Sequence, residues 1–253
     1  MLALEWLKNA RGIMDKIEAT QMDNIRKAAE VMANSIEKNN WVHTFGCGHA
    51  TIPIEEMYPR IGGFVGFHPM VELPMTFFTG ITGQMGIHQF LFLERAEGYG
   101  NAIMKQYNFD KNDCMWIFSH TGINNVNIDV ALEAKRQGMT VIVYGSAAEA
   151  KGKTTRHPSG KTIFEIADIV VDSCVPVVDA SVVLKNHQDK IGPVSTHAFV
   201  TLVWMTITTV AEILADRGVH LYIHPSHNVP GDTTAHERLD ACLLEYKQRV
   251  SKL

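Results

Sequence analysis

The sequence is short of paired cysteines. Its 253 residues hold four, Cys47, Cys114, Cys174 and Cys242, with neither CxxC nor zinc-finger spacing. That argues against a disulfide framework and a structural zinc module, and points to a reducing, cytoplasmic setting. Cys114 and Cys174 lie in apolar runs, where a free cysteine behaves as a small hydrophobe. Charge of one sign is equally scarce. The net charge is -4 with 20% charged residues, and no Lys/Arg run occurs. Nothing electrostatic therefore favours nucleic acid or anionic membrane, and we expect neither as a partner. The amino-terminal "MLALEWLKNARG" lacks the basic, apolar, small order of a signal peptide. One stretch, "AFVTLVWMTITTVAEIL" (198–214), approaches membrane-spanning length, but its four threonines and Glu212 predict a buried helix or a subunit contact.

What is present is an ordinary apolar content of 46% in a chain long enough for one large α/β domain. Residues 3–38 read as two helices, the second opening at Thr20 and Asp23 as a capping box. Strands are predicted at "WVHTF" (41–45), "GGFVGFHPMV" (62–71), "DCMWIF" (113–118), "MTVIVYGS" (139–146) and "ADIVVDS" (167–173). Between them lie a short helix at 51–60, helical pieces around a loop at 80–108, and helices at 126–138 and about 195–217. This alternation fits right-handed βαβ crossovers on a parallel sheet. With no repeat or linker visible, we expect one domain over 1–253: N-terminal helices to 40, a core at 41–217, and a tail and helix at 218–253. The basic, turn-rich "EAKGKTTRHPSGKT" (149–162) reads as a mobile flap over the fold.

Two loops invite chemistry. After "CMWIF" the chain releases Ser119, His120, Thr121, Gly122, Asn124 and Asn125 just before a helix. Hydroxyls, amides and free N–H groups at a helix start can hold an anion without a lysine, although Ser and Asn are also ordinary caps. "FGCGHA" repeats the arrangement one crossover earlier with Gly46, Cys47, Gly48 and His49; it lacks the third glycine of a dinucleotide fingerprint. Two such loops at the carboxyl edge of one parallel sheet converge on a single crevice.

"SHTGIN" resembles the Ser-x-Ser-Gly-x-Thr phosphate loop of sugar isomerase (SIS) domains. "GCGHA" is similar to the Gly-Cys-Gly-Thr-Ser turn in the isomerase half of glucosamine-6-phosphate synthase, and "GPVSTHAF" (192–199) to that enzyme's segment ending in Ser-Thr-Lys-Ala-Phe. "SGKTIFEIADIVVD" and "NVPGDTTAHERL" extend the likeness to stand-alone bacterial SIS proteins that resemble phosphoheptose isomerases. The resemblance implies an αβα sandwich on a five-stranded parallel sheet, a homodimer or homotetramer, and an anionic sugar as substrate. It would set Ser119, Thr121 and Asn124 on a phosphate, and Cys47, Gly48, His49 and Ser195 around the sugar. Asn124 and His197 depart from the pattern's threonine and lysine.

An aldose–ketose isomerase needs a base to move a proton between adjacent carbons and an acid/base group to open the ring. Glu55 and Glu56 follow the first loop about 100° apart on a helix, so one of them faces the crevice well. Resemblance to phosphoheptose isomerase selects Glu56; the alternative is a solvated glutamate. His227, or else His236, from the tail "HPSHNVPGDTTAHERL", is the histidine expected to reach the site as acid/base, because imidazole titrates near neutral pH. The His-x-x-x-Glu zinc pair of phosphoheptose isomerases is interrupted here by Ile52. We expect no cofactor, with metal at His224/His227 or Asp232/His236 as the alternative. His43 and His88 read as structural. A sugar-phosphate sensor and a lyase or etherase are the rival functions.

Overall fold

The computed structural model of the chain describes residues 1–57, 59–76 and 86–253. Its amino-terminal region is one helix, α1 (Leu2–Glu37), where the sequence reads as two. The polar stretch around Thr20 does not break it, because a buried stripe of Ile13, Ile17, Gln21, Ile25, Ala28 and Met32 runs straight through. Thr20 is no cap: its hydroxyl donates to the Lys16 carbonyl one turn back, at 2.7 Å. Gln21 is buried yet satisfied, its side-chain oxygen accepting the Asp172 N–H at 3.0 Å. That bond fastens α1 to the sheet.

Five strands follow: β1 (Val42–Gly46), β2 (Phe67–Met70), β3 (Cys114–Phe118), β4 (Thr140–Gly145) and β5 (Ile169–Asp172). They make one sheet in the order β2-β1-β3-β4-β5, and every pairing is parallel. β1 and β3 are buried along their whole length; β3 accordingly runs continuously apolar rather than alternating, while β1 carries the buried polar residues His43 and Thr44. Alternate side chains still part to opposite faces. Trp116, Phe118, Ile142 and Tyr144 enter one core layer; Met115, Ile117, Val141 and Val143 enter the other.

Among the described residues the remaining α-helices are α2 (Ile52–Met57), α3 (Gly86–Leu93), α4 (Tyr99–Met104), α5 (Asn125–Arg136), α6 (Ala147–Ala150), α7 (Ile163–Ile166), α8 (Ser195–Asp216) and α9 (Ala235–Val250). The helical reading of 80–108 is met by α3 and α4 from Gly86 onward; residues 80–85, and Tyr58 in the 51–60 reading, lie outside the described residues. α1 and α8 share one core layer with the sheet, while α3, α4, α5 and α7 supply the other. The result is the αβα sandwich, with the N-terminal helix packed into a layer of it.

By length and composition α8 could cross a membrane. Here it buries Ala198, Phe199, Leu202, Val203, Ile207, Val210 and Leu214 in the core. Its threonines suit a helix because Thr201, Thr206, Thr208 and Thr209 each donate to the carbonyl four residues back. Thr206 also meets the Tyr144 hydroxyl at 2.6 Å, pinning α8 to β4. A hairpin of β6 (Ala180–Val182) and β7 (Ile191–Pro193) lies across the start of α1. The strand order reverses between β1 and β3, so the crevice for a ligand opens at the carboxyl ends of those two strands.

Candidate functional site

A cavity of about 200 Å³ occupies that crevice, lined by Cys47, His49, Phe90, Glu94, Phe118, Ser119, His120, Thr121, Asn124 and Asn127. Larger clefts of about 330 Å³ around Trp41 and about 370 Å³ around Tyr222 lie elsewhere. The first is at the amino ends of the strands, where a doubly wound sheet offers no helix N-termini to a ligand.

Glycine geometry builds both loops. Gly48 has φ 62°, and Gly46 has no room for a Cβ against the Ala50 carbonyl. Both shape the turn and leave contact with the cavity to Cys47, His49 and Ala50. Gly122, at φ 72°, folds the second loop against the Phe164 ring. Ser119 is 4% exposed, and its oxygen accepts the Gly122 N–H at 3.2 Å and the Asn127 amide at 3.1 Å. Its own proton is left to donate toward a ligand. Cys47 in turn donates to the Asn127 side-chain oxygen at 3.3 Å. Burial, with the Glu94 charge adding, pushes the Cys47 thiol far up, so it stays protonated and serves as a donor rather than a nucleophile.

The carboxylate in the cavity is Glu94, just after α3 and 7% exposed. It accepts the Asn124 amide at 2.7 Å, and Asn124 accepts Arg156 at 3.2 Å. Burial raises the Glu94 pKa, against the pull of Arg95 and Arg156. His120 has both ring nitrogens buried, with no hydrogen-bond partner among the described residues. Its ring centroid lies 6.1 Å from that of His49, which stacks near Phe199. Burial lowers both histidines below their ordinary value, and Asp179 opposes it in each case. They are neutral at neutral pH.

Of the sequence-predicted residues, Cys47, His49, Ser119, His120, Thr121 and Asn124 come together here. Others do not. α2 turns Pro53, Ile54 and Met57 inward, so Glu55 is exposed and Glu56 pairs with Arg60 at 3.0 Å. His227 is exposed, its ring 4.7 Å from that of His236. Ser195 is buried and donates to Asp179 at 2.6 Å. Asn125 spends its amide on the Arg95 carbonyl at 2.8 Å. His43 is buried as expected, whereas His88 lies on the exposed side of α3. Among the described residues no three His, Cys, Asp or Glu side chains converge as a metal-ligand set. Asp232, part of one suggested pair, is held by Arg238 at 2.5 Å.

A family model described as a SIS domain matches residues 5–146, more than half of the chain. The chain belongs to the SIS domain family. Over 257 aligned residues this SIS protein is 32% identical to a UPF0309 protein of Thermoanaerobacter pseudethanolicus, covering 100% of both chains. To a UPF0309 protein of Caldanaerobacter subterraneus it is 30% identical, over 95% of each. In fold it is similar to a phosphoheptose isomerase from Francisella tularensis, with TM-score 0.54 and 11% identity over 84% of this chain and 100% of that one. Phosphoheptose isomerase GmhA from Neisseria gonorrhoeae gives TM-score 0.54 and 12% identity, over 81% and 94%. At such identities the likeness is one of fold.

Sequence reasoning missed Glu94 and Asn127. "FLFLERAEG" places Glu94 where an apolar helix ends among charges, a pattern that reads as a solvated terminus. No local signal in the SIS sequence marks it; its position opposite the anion loop is revealed only by the fold. Asn127, in the first turn of α5, is buried behind Ser119 and reads from sequence as helix surface.

Proposed function

We propose that the protein binds a phosphorylated sugar or amino sugar in this cavity and interconverts its aldose and ketose forms through an enediol. The observation that carries this reading is Glu94, a buried carboxylate facing the anion loop across one small cavity. The phosphate would sit on the loop from Ser119 to Asn124, receiving the Ser119 hydroxyl and first-turn N–H groups of α5. Glu94 would take the proton from the carbon beside the carbonyl and return it to the carbonyl carbon, raised toward working pH by burial. Neutral His120, with two unsatisfied ring nitrogens, suits proton exchange with the ring oxygen on opening. Chemistry of this kind needs no metal, and we read the protein as a cytoplasmic homo-oligomer, a state that light scattering on the purified chain measures. The phosphoheptose isomerase names of the fold relatives accord with the reading.

Proton-exchange NMR in D₂O across a set of sugar phosphates tests it. The expected result is solvent deuterium appearing at the carbon next to the carbonyl. Glu94→Gln should slow that exchange about a hundredfold or more, the usual weight of a general base, while binding persists. Glu56→Gln should change it little. Tight binding with no exchange for any ligand would assign a sensor instead.

A further inference from the structure

The cavity-lining residues include no lysine or arginine, and a phosphate dianion placed there would face the Glu94 carboxylate. A counter-charge is needed. Resting on the sugar-phosphate reading, we propose that Arg156 supplies it, moving from Asn124 to the substrate's phosphate when the site fills.

Arg156 belongs to the basic stretch 149–162, for which the isomerase reading has no use. That stretch and the residue after it are tied to the anion loop and to α5. The Arg156 N–H donates to the Ile123 carbonyl at 3.4 Å, and the Ile163 N–H to the Gly122 carbonyl at 2.9 Å. His157 meets buried Asp129 at 3.0 Å. The guanidinium is exposed and makes a single hydrogen bond among the described residues, 3.2 Å to the Asn124 side-chain oxygen. One long bond costs little to exchange for a charge-assisted, forked contact with phosphate. Lys153, the nearby alternative, is already paired with Glu149. Arg95 stays beside Glu94, 3.9 Å from its carboxylate.

The exchange has a consequence for the base. Asn124 accepts from Arg156 and donates to Glu94. Once Arg156 leaves, the amide is free to turn its N–H toward the phosphate. Glu94 then loses a donor that stabilised its charged form and becomes the stronger base. A neutral sugar would not draw Arg156 across, so the base is released only for an anionic substrate.

The test uses inorganic phosphate as the probe, titrated by calorimetry into the full chain as wild type, Arg156→Ala, Arg156→Lys and Ser119→Ala. The proposal expects Arg156→Ala to weaken phosphate binding about tenfold or more and to flatten its salt dependence. Arg156→Lys should recover part of the loss, since the charge remains and the fork does not. At matched phosphate occupancy the Asn124 side-chain amide NMR signal should shift further in wild type, where the Arg156 bond is given up, than in Arg156→Ala. If Ser119→Ala weakens binding and Arg156→Ala does not, the loop holds the anion and the Arg156 clamp is wrong. If Ser119→Ala has no effect, or the wild type does not bind phosphate, the anion loop itself falls and the clamp with it. An unchanged melting temperature for Arg156→Ala, expected for an exposed side chain, shows that any loss is not unfolding.

Discussion

Asp113, His43 and His68 form a buried chain at the amino end of the sheet, remote from the cavity. The His43 Nδ1 to His68 Nδ1 distance is 2.9 Å, and His43 Nε2 lies 3.2 Å from the Asp113 carboxylate. Burial first, and His43 next, push His68 down to about 3 from an ordinary 6.5, with Asp113 opposing. The unfolded chain therefore binds a proton below 6.5 that the folded chain refuses. Stability is full above that value and declines as pH falls toward about 3. From pH 6.5 to 5 this one group should remove about 2 kcal/mol, with His49 and His120 adding in the same direction. Urea denaturation at both pH values measures the drop, and His68→Asn should make it shallower. Asp113, held below its ordinary value by hydrogen bonds despite burial, adds its own loss only at more acid pH. At this scale the places of Ser119 and His49 beside the cavity were legible, because each follows an apolar strand of a parallel sheet at its carboxyl end. Glu94 was not, because nothing local separates a buried helix-end glutamate from a solvated one.

Elements met the sequence reading best where an apolar run was long. β3 and β4 read as buried strands, and α8 as a buried helix or a subunit contact, of which the core burial is seen. The start of α8 is the instructive exception. Ser195 reads as a sugar contact, yet its hydroxyl and N–H both go to Asp179, at 2.6 and 2.7 Å, and the Val194 N–H joins them at 2.9 Å. Asp179 is a helix cap supplied from a distant part of the chain. Asp179→Ala should leave those buried donors unsatisfied and cost about 1–3 kcal/mol, read as a lower melting temperature. Ser195→Ala keeps the backbone bonds and should cost about 1 kcal/mol. An equal loss in both variants would mean that the Ser195 hydroxyl carries the whole cap.

The whole molecule depends on α1 lying along α8 over one face of the sheet. Ile17 is fully buried in that layer, and Ile17→Ala should cost about 2–5 kcal/mol through lost burial and the cavity left behind. Because α1 shares its core with the central strands, unfolding followed by circular dichroism and by tryptophan fluorescence should coincide in one transition. Separate transitions would make α1 an appendage. From sequence alone came the sheet's strands, the two glycine-shaped loops and their convergence, since periodicity and turn chemistry are local properties of the chain. The continuity of α1, the commitment of Ser195 to Asp179, the outward turn of Glu55 and Glu56, and the arrival of Glu94 in the cavity were decided by tertiary structure. Each depends on which neighbour a side chain meets across more than a dozen residues or on which face of a helix the core claims, and no local pattern records that.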